Sequence, residues 1–308
     1  MALLYKADPE RGRHWQALFA RHAPDIEFRQ WPDMGNPAEI RYLLAWQPPE
    51  NLTGCLPALD VLFATSAGVD QFDFSELPDT LSVVRMLDPA IEHGMIEYAT
   101  FATLWLHRRI GDYARQQREG HWQAHMLRPA SEKRIGVLGL GQLGTAIATH
   151  LVSYGFPVSG WARTMRDVPG ITCHAGQEAL DDFLASSDML ICVLPLTGDT
   201  RGILNTALFE RLPEGAGLIN IGRGEHLIEA DLTRALDEGR LSGAVLDVLR
   251  NEPPPRDHPF WRDERILMTP HIAAMTQPET AFPVLLDNLR RHQRGEPMIG
   301  QVDRQRGY

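Results

Sequence analysis

Three residues with chemically versatile side chains, Arg223, Glu252 and His271, each follow an apolar run that predicts a β-strand. An imidazole exchanges a proton near neutral pH, and a guanidinium binds a carboxylate through two hydrogen bonds. Singly, each has an ordinary explanation, as a turn arginine, a solvated loop carboxylate or a packed core histidine. Because ligands bind at the carboxyl ends of the strands in a parallel α/β sheet, all three can face one cleft.

A glycine-rich loop lies upstream of these residues, in the sequence KRIGVLGLGQLGT at residues 133–145. Gly139, Gly141 and Gly144 form G-x-G-x-x-G between an apolar strand and a helical pattern, the expected context for binding a dinucleotide pyrophosphate. The first glycine permits the tight turn, the second lets the phosphates approach, and the third lets the helix pack on the strand. The anion would bind the N–H groups at the positive end of the helix. A strand–helix corner that merely favours glycine is the alternative.

The end of the second predicted strand bears on the choice of cofactor. An Asp or Glu about 20 residues past the glycines would bind the ribose 2′-hydroxyl of NAD, but the sequence here is GWART with no acid before Asp167. A guanidinium binds a 2′-phosphate. We therefore expect NADP(H) to be preferred, with NAD(H) as the alternative, and Arg163 and Thr164 to bind the phosphate with Arg166 as a helper. The alternative for Arg163 is a surface loop residue.

Composition and charge exclude several classes of protein. A length of 308 residues predicts about two domains. The net charge of −10 argues against nucleic acid as a partner, because DNA- and RNA-binding proteins usually carry a basic stripe that neutralises the phosphates. No apolar run approaches the roughly 18 residues of a membrane span, and no signal peptide is evident, so we expect a cytoplasmic protein with no membrane partner. The three cysteines form no C-x-x-C pair and are expected to be buried thiols.

The apolar patterns predict an α/β fold in two parts. Short apolar runs before the glycine loop alternate with helix-like stretches, which indicates a small α/β unit. After the loop, apolar strands alternate with helices, which predicts a doubly wound parallel sheet covered on both faces. Residues 97–125 predict one long helix whose broad apolar face bridges domains or meets another subunit. His121 and His125 have i, i+4 spacing there, but without a third ligand nearby we expect a solvated helix face and no metal.

The order of these motifs resembles that of the D-isomer-specific 2-hydroxyacid dehydrogenase family. The resemblance covers nearly the whole chain, and the sequences that carry it are LLAWQPPE, FATSAGVDQFD, GVLGLGQLG, SGWART, CVLPLTGDTRGILN, LINIGRGEHL, GAVLDVLRNEPPP and TPHIAAMTQPE. Within the family, the chain is most similar to the bacterial glyoxylate/hydroxypyruvate reductases. That finer similarity rests on Trp46 with the Gln-Pro-Pro sequence that follows it, and on the sequence WART at residues 161–164.

The resemblance implies both an architecture and an activity. It implies a Rossmann cofactor domain over residues 99–276 and a smaller, flavodoxin-like α/β substrate domain formed by residues 1–98 and 277–308. It implies NADPH-dependent reduction of a small anionic 2-oxo acid, glyoxylate to glycolate or hydroxypyruvate to D-glycerate. It also implies a homodimer formed through the aromatic helical stretch after Glu97.

The resemblance further implies roles for individual residues. His271 would donate a proton to the substrate oxygen, and Glu252 would orient its ring and raise the histidine pKa. Arg223 would clamp the substrate carboxylate and polarise the carbonyl. The other implied substrate contacts are the pocket wall at Trp46 and the backbone N–H groups of Ala67 and Gly68. The implied cofactor contacts, besides the three glycines, are Gln142, Leu143, Ala162, Arg163, Thr164, Leu194, Pro195, Thr200, Ile221 and Asp247.

Two other interpretations remain open at the level of sequence. One is a non-catalytic protein that senses nicotinamide nucleotides on the same fold, because function depends on the site and not on the fold. Retention of Arg223, Glu252 and His271 favours an enzyme over such a sensor. The other is a reductase of the same family for a different 2-oxo acid, since pocket walls such as Trp46 and Met275 set the substrate.

Overall fold

The computed structural model describes residues 1–304, and the chain forms two compact units. Among the described residues, the first comprises residues 1–91 and 275–304, and the second comprises Glu92–Ala274. The sequence predicted the boundaries after residues 98 and 276. The units instead divide after Ile91 and after Ala274, and the first division falls within the helix that begins at Pro89. Residues 305–308 of the predicted substrate domain lie outside the described residues.

The first unit is built on a five-stranded parallel sheet. Its strands are β1 (Ala2–Lys6), β2 (Glu27–Gln30), β3 (Ile40–Ala45), β4 (Val61–Ala64) and β5 (Ser82–Val84). Their order is β2-β1-β3-β4-β5, the flavodoxin-like arrangement expected from the sequence. All four residues of β4 are buried, as expected for a central strand covered on both faces. Helices α1 (Pro9–His22) and α2 (Leu52–Cys55) follow β1 and β3.

The second unit carries a seven-stranded parallel sheet. Its strands are β6 (Ile135–Leu138), β7 (Val158–Ala162), β8 (Thr172–Ala175), β9 (Met189–Cys192), β10 (Ala216–Asn220), β11 (Leu241–Leu246) and β12 (Ile266–Met268). Their order is β12-β11-β10-β9-β6-β7-β8. The chain runs outward from β6 in one direction and then from β9 in the other, so the switch point lies between β6 and β9. The predicted doubly wound Rossmann fold is confirmed.

The helices of the second unit cover this sheet. They are α3 (Pro89–His107), α4 (Ile110–Glu119), α5 (Gln142–Ser153), α6 (Leu180–Ala185), α7 (Thr206–Phe209) and α8 (Glu229–Asp237). Phe183 and Leu184 of α6 and Leu232 of α8 are fully buried and belong to one core cluster with sheet residues such as Leu190 and Leu218. The apolar runs that predicted the strands are therefore the two-sided core of this sheet.

The single long helix predicted over residues 97–125 is wrong. Arg109 has a φ of +56° and separates α3 from α4, and no helix continues beyond Gly120. A Cβ on Gly111 would lie 2.7 Å from the ring of Trp105, so glycine at this position lets the start of α4 pack closely on α3. His121 and His125 therefore lie in an irregular segment and not on the solvated helix face expected from their spacing. Among the described residues, no group of three or more His, Cys, Asp or Glu could hold a metal ion.

Helix α9 (Pro278–Gln293) returns the chain to the first unit. Its Phe282 packs edge-on against Phe19 of α1, with ring centroids 5.1 Å apart, and also contacts Trp15. Residues from the N-terminal and C-terminal parts of the chain thus share one core in this unit. Within residues 1–304, no helix combines the length and the apolar character needed to cross a bilayer.

Candidate active site

The glycine-rich loop joins β6 to α5 and leaves backbone donors at the start of the helix. Gly139 has a φ of +115°, and a Cβ on Gly144 would lie 1.8 Å from the carbonyl oxygen of Gly139. A Cβ on Gly141, by contrast, meets no neighbouring atom within 4 Å. The N–H groups of residues 142–144 have no acceptor among the described residues. Packing within the chain therefore explains two of the glycines, while Gly141 leaves room for a phosphate at the helix N-terminus.

The carboxyl end of β7 lies beside this loop. The N–H of Gly139 donates a 2.9 Å hydrogen bond to the carbonyl oxygen of Trp161, which ties the loop to the strand end. Ala162 ends the strand, and Arg163 and Thr164 follow as exposed residues. Since residues 160–166 contain no Asp or Glu, the donors present here suit a phosphate better than a hydroxyl that needs a carboxylate partner.

The loop after β9 is closed by a threonine. Thr200 donates from Oγ1 to the carbonyl oxygen of Pro195 at 2.7 Å and accepts the N–H of Thr197 at 2.8 Å. Leu194 is buried beneath this loop. The hydroxyl of Thr200 is thus engaged within the chain, and the predicted contacts of Leu194, Pro195 and Thr200 with a cofactor stay predictions.

Arg223 lies on the turn that follows β10. The side-chain amide of the buried Asn220 donates to the carbonyl oxygen of Arg223 at 3.0 Å, which shapes the turn, and Ile221 is buried within it. A Cβ on Gly224 would lie 2.0 Å from the backbone of Leu249. Glycine at this position therefore lets the turn pack directly on the segment that leads to Glu252.

Glu252 and His271 form a hydrogen-bonded pair in the loops after β11 and β12. Nδ1 of His271 lies 2.8 Å from Oε2 of Glu252, and Oε1 accepts the N–H of Leu249 at 2.9 Å. The histidine side chain is 33% exposed and that of the glutamate 37%. The pair can therefore be reached by a small molecule while the protein holds its geometry.

Asp247 organises the loop that carries His271. Its Oδ1 accepts the hydroxyl of Thr269 at 2.6 Å and the N–H of Ile272 at 2.8 Å, and its Oδ2 accepts the N–H of Ala273 at 2.7 Å. The N–H of His271 donates to the carbonyl oxygen of Asp247 at 2.8 Å. This network holds His271 at a φ of +55°, a conformation that is uncommon outside glycine. The contact of Asp247 with a cofactor carboxamide stays a prediction.

The environments of the two carboxylates push their pKa values in opposite directions. Burial acts to raise the pKa of Glu252, but hydrogen bonds from His271 and the N–H of Leu249 outweigh it, and the charge of Arg223 adds to the lowering. The pKa of Glu252 is therefore below its ordinary value, which keeps the side chain ionised. Burial raises the pKa of Asp247 above its ordinary value, although its hydrogen bonds act in the other direction.

Two positions that support the site carried no sequence signal. The hydroxyl of Tyr98 on α3 is hydrogen-bonded to Oγ1 of Thr269, and burial raises the pKa of Tyr98 to about 12. His226, three residues after Arg223, is fully buried and accepts the N–H of Arg223 at its Nδ1. Tyr98 contacts a residue far away in the sequence, and His226 contacts the distant carbonyl oxygen of Pro195 at 3.3 Å as well as its neighbour Arg223. No local spacing predicts either long-range contact.

The second unit brings most of the predicted site residues to one edge of its sheet. Arg223, Glu252 and His271 follow β10, β11 and β12, while the glycine loop follows β6 and Leu194 follows β9. All five strands are parallel neighbours, so their carboxyl ends share one edge. The electrostatic influence of both Arg223 and His271 on Glu252 reflects this proximity.

The first unit carries the remaining predicted residues at the carboxyl ends of β3 and β4. Trp46 follows β3 and is 39% exposed. Ala67 and Gly68 follow β4, and neither N–H donates a hydrogen bond to another described residue. Oγ of Ser66 donates to the carbonyl oxygen of Gly68 at 2.8 Å and shapes this turn. The turn therefore presents two backbone donors suited to a carboxylate.

The chain is similar to a known protein family and to individual known proteins. The model of the family "D-isomer specific 2-hydroxyacid dehydrogenase, NAD binding domain" matches residues 100–273. A glyoxylate/hydroxypyruvate reductase A from Klebsiella pneumoniae is 38% identical over 304 residues, covering 96% of this chain and 96% of the relative.

Two solved structures are similar over the whole chain. A D-isomer-specific 2-hydroxyacid dehydrogenase from Xanthobacter autotrophicus, in complex with NADPH, has a TM-score of 0.91 and 40% identity, covering 100% of this chain and 99% of the other. An NADPH-dependent glyoxylate/hydroxypyruvate reductase from Sinorhizobium meliloti, in complex with NADP and sulfate, has a TM-score of 0.93 and 32% identity, with the same coverage.

Proposed function

Because the chain belongs to the D-isomer-specific 2-hydroxyacid dehydrogenase family, we propose that it reduces glyoxylate to glycolate and hydroxypyruvate to D-glycerate with NADPH. The observation that carries this proposal is the 2.8 Å pair between His271 and Glu252, within the electrostatic reach of Arg223 at the carboxyl edge of the sheet. An acid, its orienting carboxylate and an anion clamp are the groups that reduction of a 2-oxo acid requires.

The proton in this reaction comes from His271. When bound, NADPH supplies a hydride to the carbonyl carbon, and the carbonyl oxygen must then gain a proton. Nδ1 of His271 faces the ionised Glu252, so Nδ1 carries a hydrogen and Nε2 is the atom that donates to the substrate. The carboxylate also stabilises the imidazolium before transfer, which supports His271 as general acid and, in reverse, as general base.

Arg223 binds the substrate carboxylate and stabilises the oxygen on which negative charge develops. Its guanidinium offers donors in a fork that matches a carboxylate. On the first unit, we propose the N–H groups of Ala67 and Gly68 as further carboxylate donors and Trp46 as a wall that limits substrate size. The donors in the turn after β4 support this assignment.

NADPH is held by the second unit. The open position at Gly141 and the N–H groups at the start of α5 fit the pyrophosphate. Arg163 and Thr164, with the helper Arg166, fit the 2′-phosphate, because no carboxylate at the end of β7 repels it. The further cofactor-binding residues that we propose are Gly139, Gln142, Leu143, Gly144, Ala162, Leu194, Pro195, Thr200, Ile221 and Asp247.

A substrate and cofactor panel tests the proposed function. We expect the absorbance of NADPH to fall steadily when glyoxylate or hydroxypyruvate is added. With NADH in place of NADPH, the absorbance of NADH should fall more slowly. Pyruvate, which lacks the hydroxyl group of hydroxypyruvate, and the larger phenylpyruvate serve as alternative 2-oxo acids, and preferred turnover of either would replace the substrate proposed here. NADPH binding without turnover of any 2-oxo acid would contradict the enzyme and favour a nucleotide-sensing protein.

We also propose that the protein forms a homodimer through an exposed apolar face on the second unit. The exposed apolar side chains that support it are Phe101, Ile110, Trp122 and Met126, the last two almost fully exposed. Phe101 and Ile110 line a groove of about 900 Å³ between α3 and the end of α5. Large exposed apolar patches on a folded protein support an interaction surface. The cytoplasmic location stays a prediction.

A further inference from the structure

A buried histidine that the proposed reaction does not use lies behind Arg223. His226 has 0% exposure and ends the short 3-10 turn Gly224–His226 after β10. Its imidazole lies between two loops, and each of its ring nitrogens contacts the backbone of a different one. A buried ring with both nitrogens engaged fixes the separation of the groups that it joins.

The first contact is to the substrate clamp. The N–H of Arg223 donates to Nδ1 of His226 at 3.0 Å, so this nitrogen carries no hydrogen. A Cβ on Gly222 would lie 2.9 Å from the same nitrogen, and glycine there lets the ring approach the turn. The imidazole therefore holds the backbone from which the Arg223 side chain projects.

The second contact is to the loop after β9. Nε2 of His226 lies 3.3 Å from the carbonyl oxygen of Pro195, and since Nδ1 is an acceptor, Nε2 carries the hydrogen and donates it. The same carbonyl oxygen accepts the hydroxyl of Thr200 at 2.7 Å. The neutral imidazole thus joins the Arg223 turn to the loop for which cofactor contacts are proposed.

We propose that His226 is a positioning residue that keeps the carboxylate clamp at Arg223 in register with the cofactor loop at Pro195. The inference rests on the proposed function, because it assigns those two segments to substrate and cofactor. The two nitrogens affect the binding of different ligands. Nδ1 positions Arg223 for the substrate, and Nε2 positions the loop at Pro195 for the cofactor.

Two amide substitutions separate these roles. In His226→Asn the amide oxygen replaces Nδ1 as the acceptor for Arg223, and the donor to Pro195 is lost. In His226→Gln the amide nitrogen replaces Nε2 as the donor to Pro195, and the acceptor for Arg223 is lost. Cys192→Ala is the matched control, because Sγ of Cys192 lies 3.8 Å from Nδ1 and its removal leaves both hydrogen bonds intact.

The measurements are the KM for glyoxylate, the kcat, the Kd for NADPH from nucleotide fluorescence, and the Kd for the unreactive analogue oxamate with NADPH bound. We expect His226→Gln to raise the KM for glyoxylate and the Kd for oxamate about ten-fold, and His226→Asn to raise the Kd for NADPH by a similar factor. The Kd for NADPH in His226→Gln and the Kd for oxamate in His226→Asn should stay within about two-fold of wild type. In Cys192→Ala, both Kd values should stay within that range.

Two outcomes overturn the inference. One is that both amide variants weaken the binding of oxamate and of NADPH equally, in proportion to a fall in melting temperature, which indicates a purely structural role. The other is that neither variant changes the Kd for oxamate or for NADPH. Because the two Kd values need no turnover, a wild-type protein that binds NADPH and oxamate without reducing any 2-oxo acid contradicts the proposed function alone.

Discussion

His271 is the residue on which the proposed chemistry depends most directly. We expect His271→Asn to lower kcat by roughly 10²- to 10⁴-fold, the usual contribution of a general acid. Asparagine adopts positive φ more readily than most residues, so the backbone at φ +55° should be retained. The Kd for NADPH should stay near that of wild type, and the exposed His121→Asn should change neither quantity. Full activity of the His271 variant would disprove the assignment.

Arg163 is the residue that we propose to set the choice between NADPH and NADH. Arg163→Ala removes the guanidinium proposed for the 2′-phosphate, and a charge-assisted hydrogen bond of this kind corresponds to roughly ten- to hundred-fold in affinity. We expect kcat/KM to fall by that factor with NADPH and little with NADH. Equal losses with both cofactors would show that Arg163 acts only as a surface residue of the loop.

The Glu252–His271 pair should also affect stability in acid. Because the pKa of folded Glu252 lies below its ordinary value, the ionised side chain stabilises the fold above the unfolded pKa of about 4.3. That contribution is lost as the pH falls from there through the folded pKa. We expect the unfolding free energy of wild type to fall towards that of Glu252→Gln as the pH is lowered from about 5 through the folded pKa. The exposed Glu214→Gln, the control, should show no such convergence.

The residues of the site were predictable to different degrees. Arg223, Glu252 and His271 were found because each follows an apolar strand, and a parallel sheet gathers its strand ends at one edge. His226 and Tyr98 were not, because each acts through a hydrogen bond to a group that only the folded chain brings near. Asp247 was expected at a cofactor, and the structure adds its bonds to the His271 loop.

At the scale of elements, different glycines of the glycine-rich loop serve packing and phosphate binding. Gly141→Ala adds a Cβ that meets no neighbouring atom, whereas Gly144→Ala places one 1.8 Å from the carbonyl oxygen of Gly139. We expect Gly144→Ala to lower the unfolding free energy by about 1–3 kcal/mol through overpacking. Gly141→Ala should change stability by less than about 0.5 kcal/mol and yet weaken NADPH binding. Unchanged NADPH affinity in Gly141→Ala would contradict a phosphate at this turn.

Strands were easier to predict from sequence than the ends of helices. A strand such as β9, with all four residues buried, forms a continuous apolar run that needs no partner to be recognised. The break between α3 and α4 lies at a left-handed Arg109, next to the close approach of Gly111 to Trp105. Neither arginine nor the surrounding apolar spacing signals a stop, so the pattern favoured one uninterrupted helix.

At the scale of the whole molecule, assembly is the property most open to test. We expect wild type to have the mass of a dimer in light scattering after gel filtration at micromolar concentration. Replacement of Trp122 and Met126 by alanine removes two almost fully exposed apolar side chains from the proposed face and should shift the protein towards monomer. Trp261→Ala, which removes another exposed tryptophan, should leave the mass unchanged. A monomeric wild type would exclude the dimer.

The shared core of α1 and α9 has a consequence for synthesis of the chain. The first unit cannot close until Phe282 has left the ribosome, yet Phe19, against which it packs, is made more than 250 residues earlier. At about 5–20 residues per second, translation of the intervening chain takes on the order of ten seconds or longer. The inserted nucleotide-binding unit is thus free to fold first, while the nascent N-terminal strands wait with their apolar surface uncovered and within reach of chaperones.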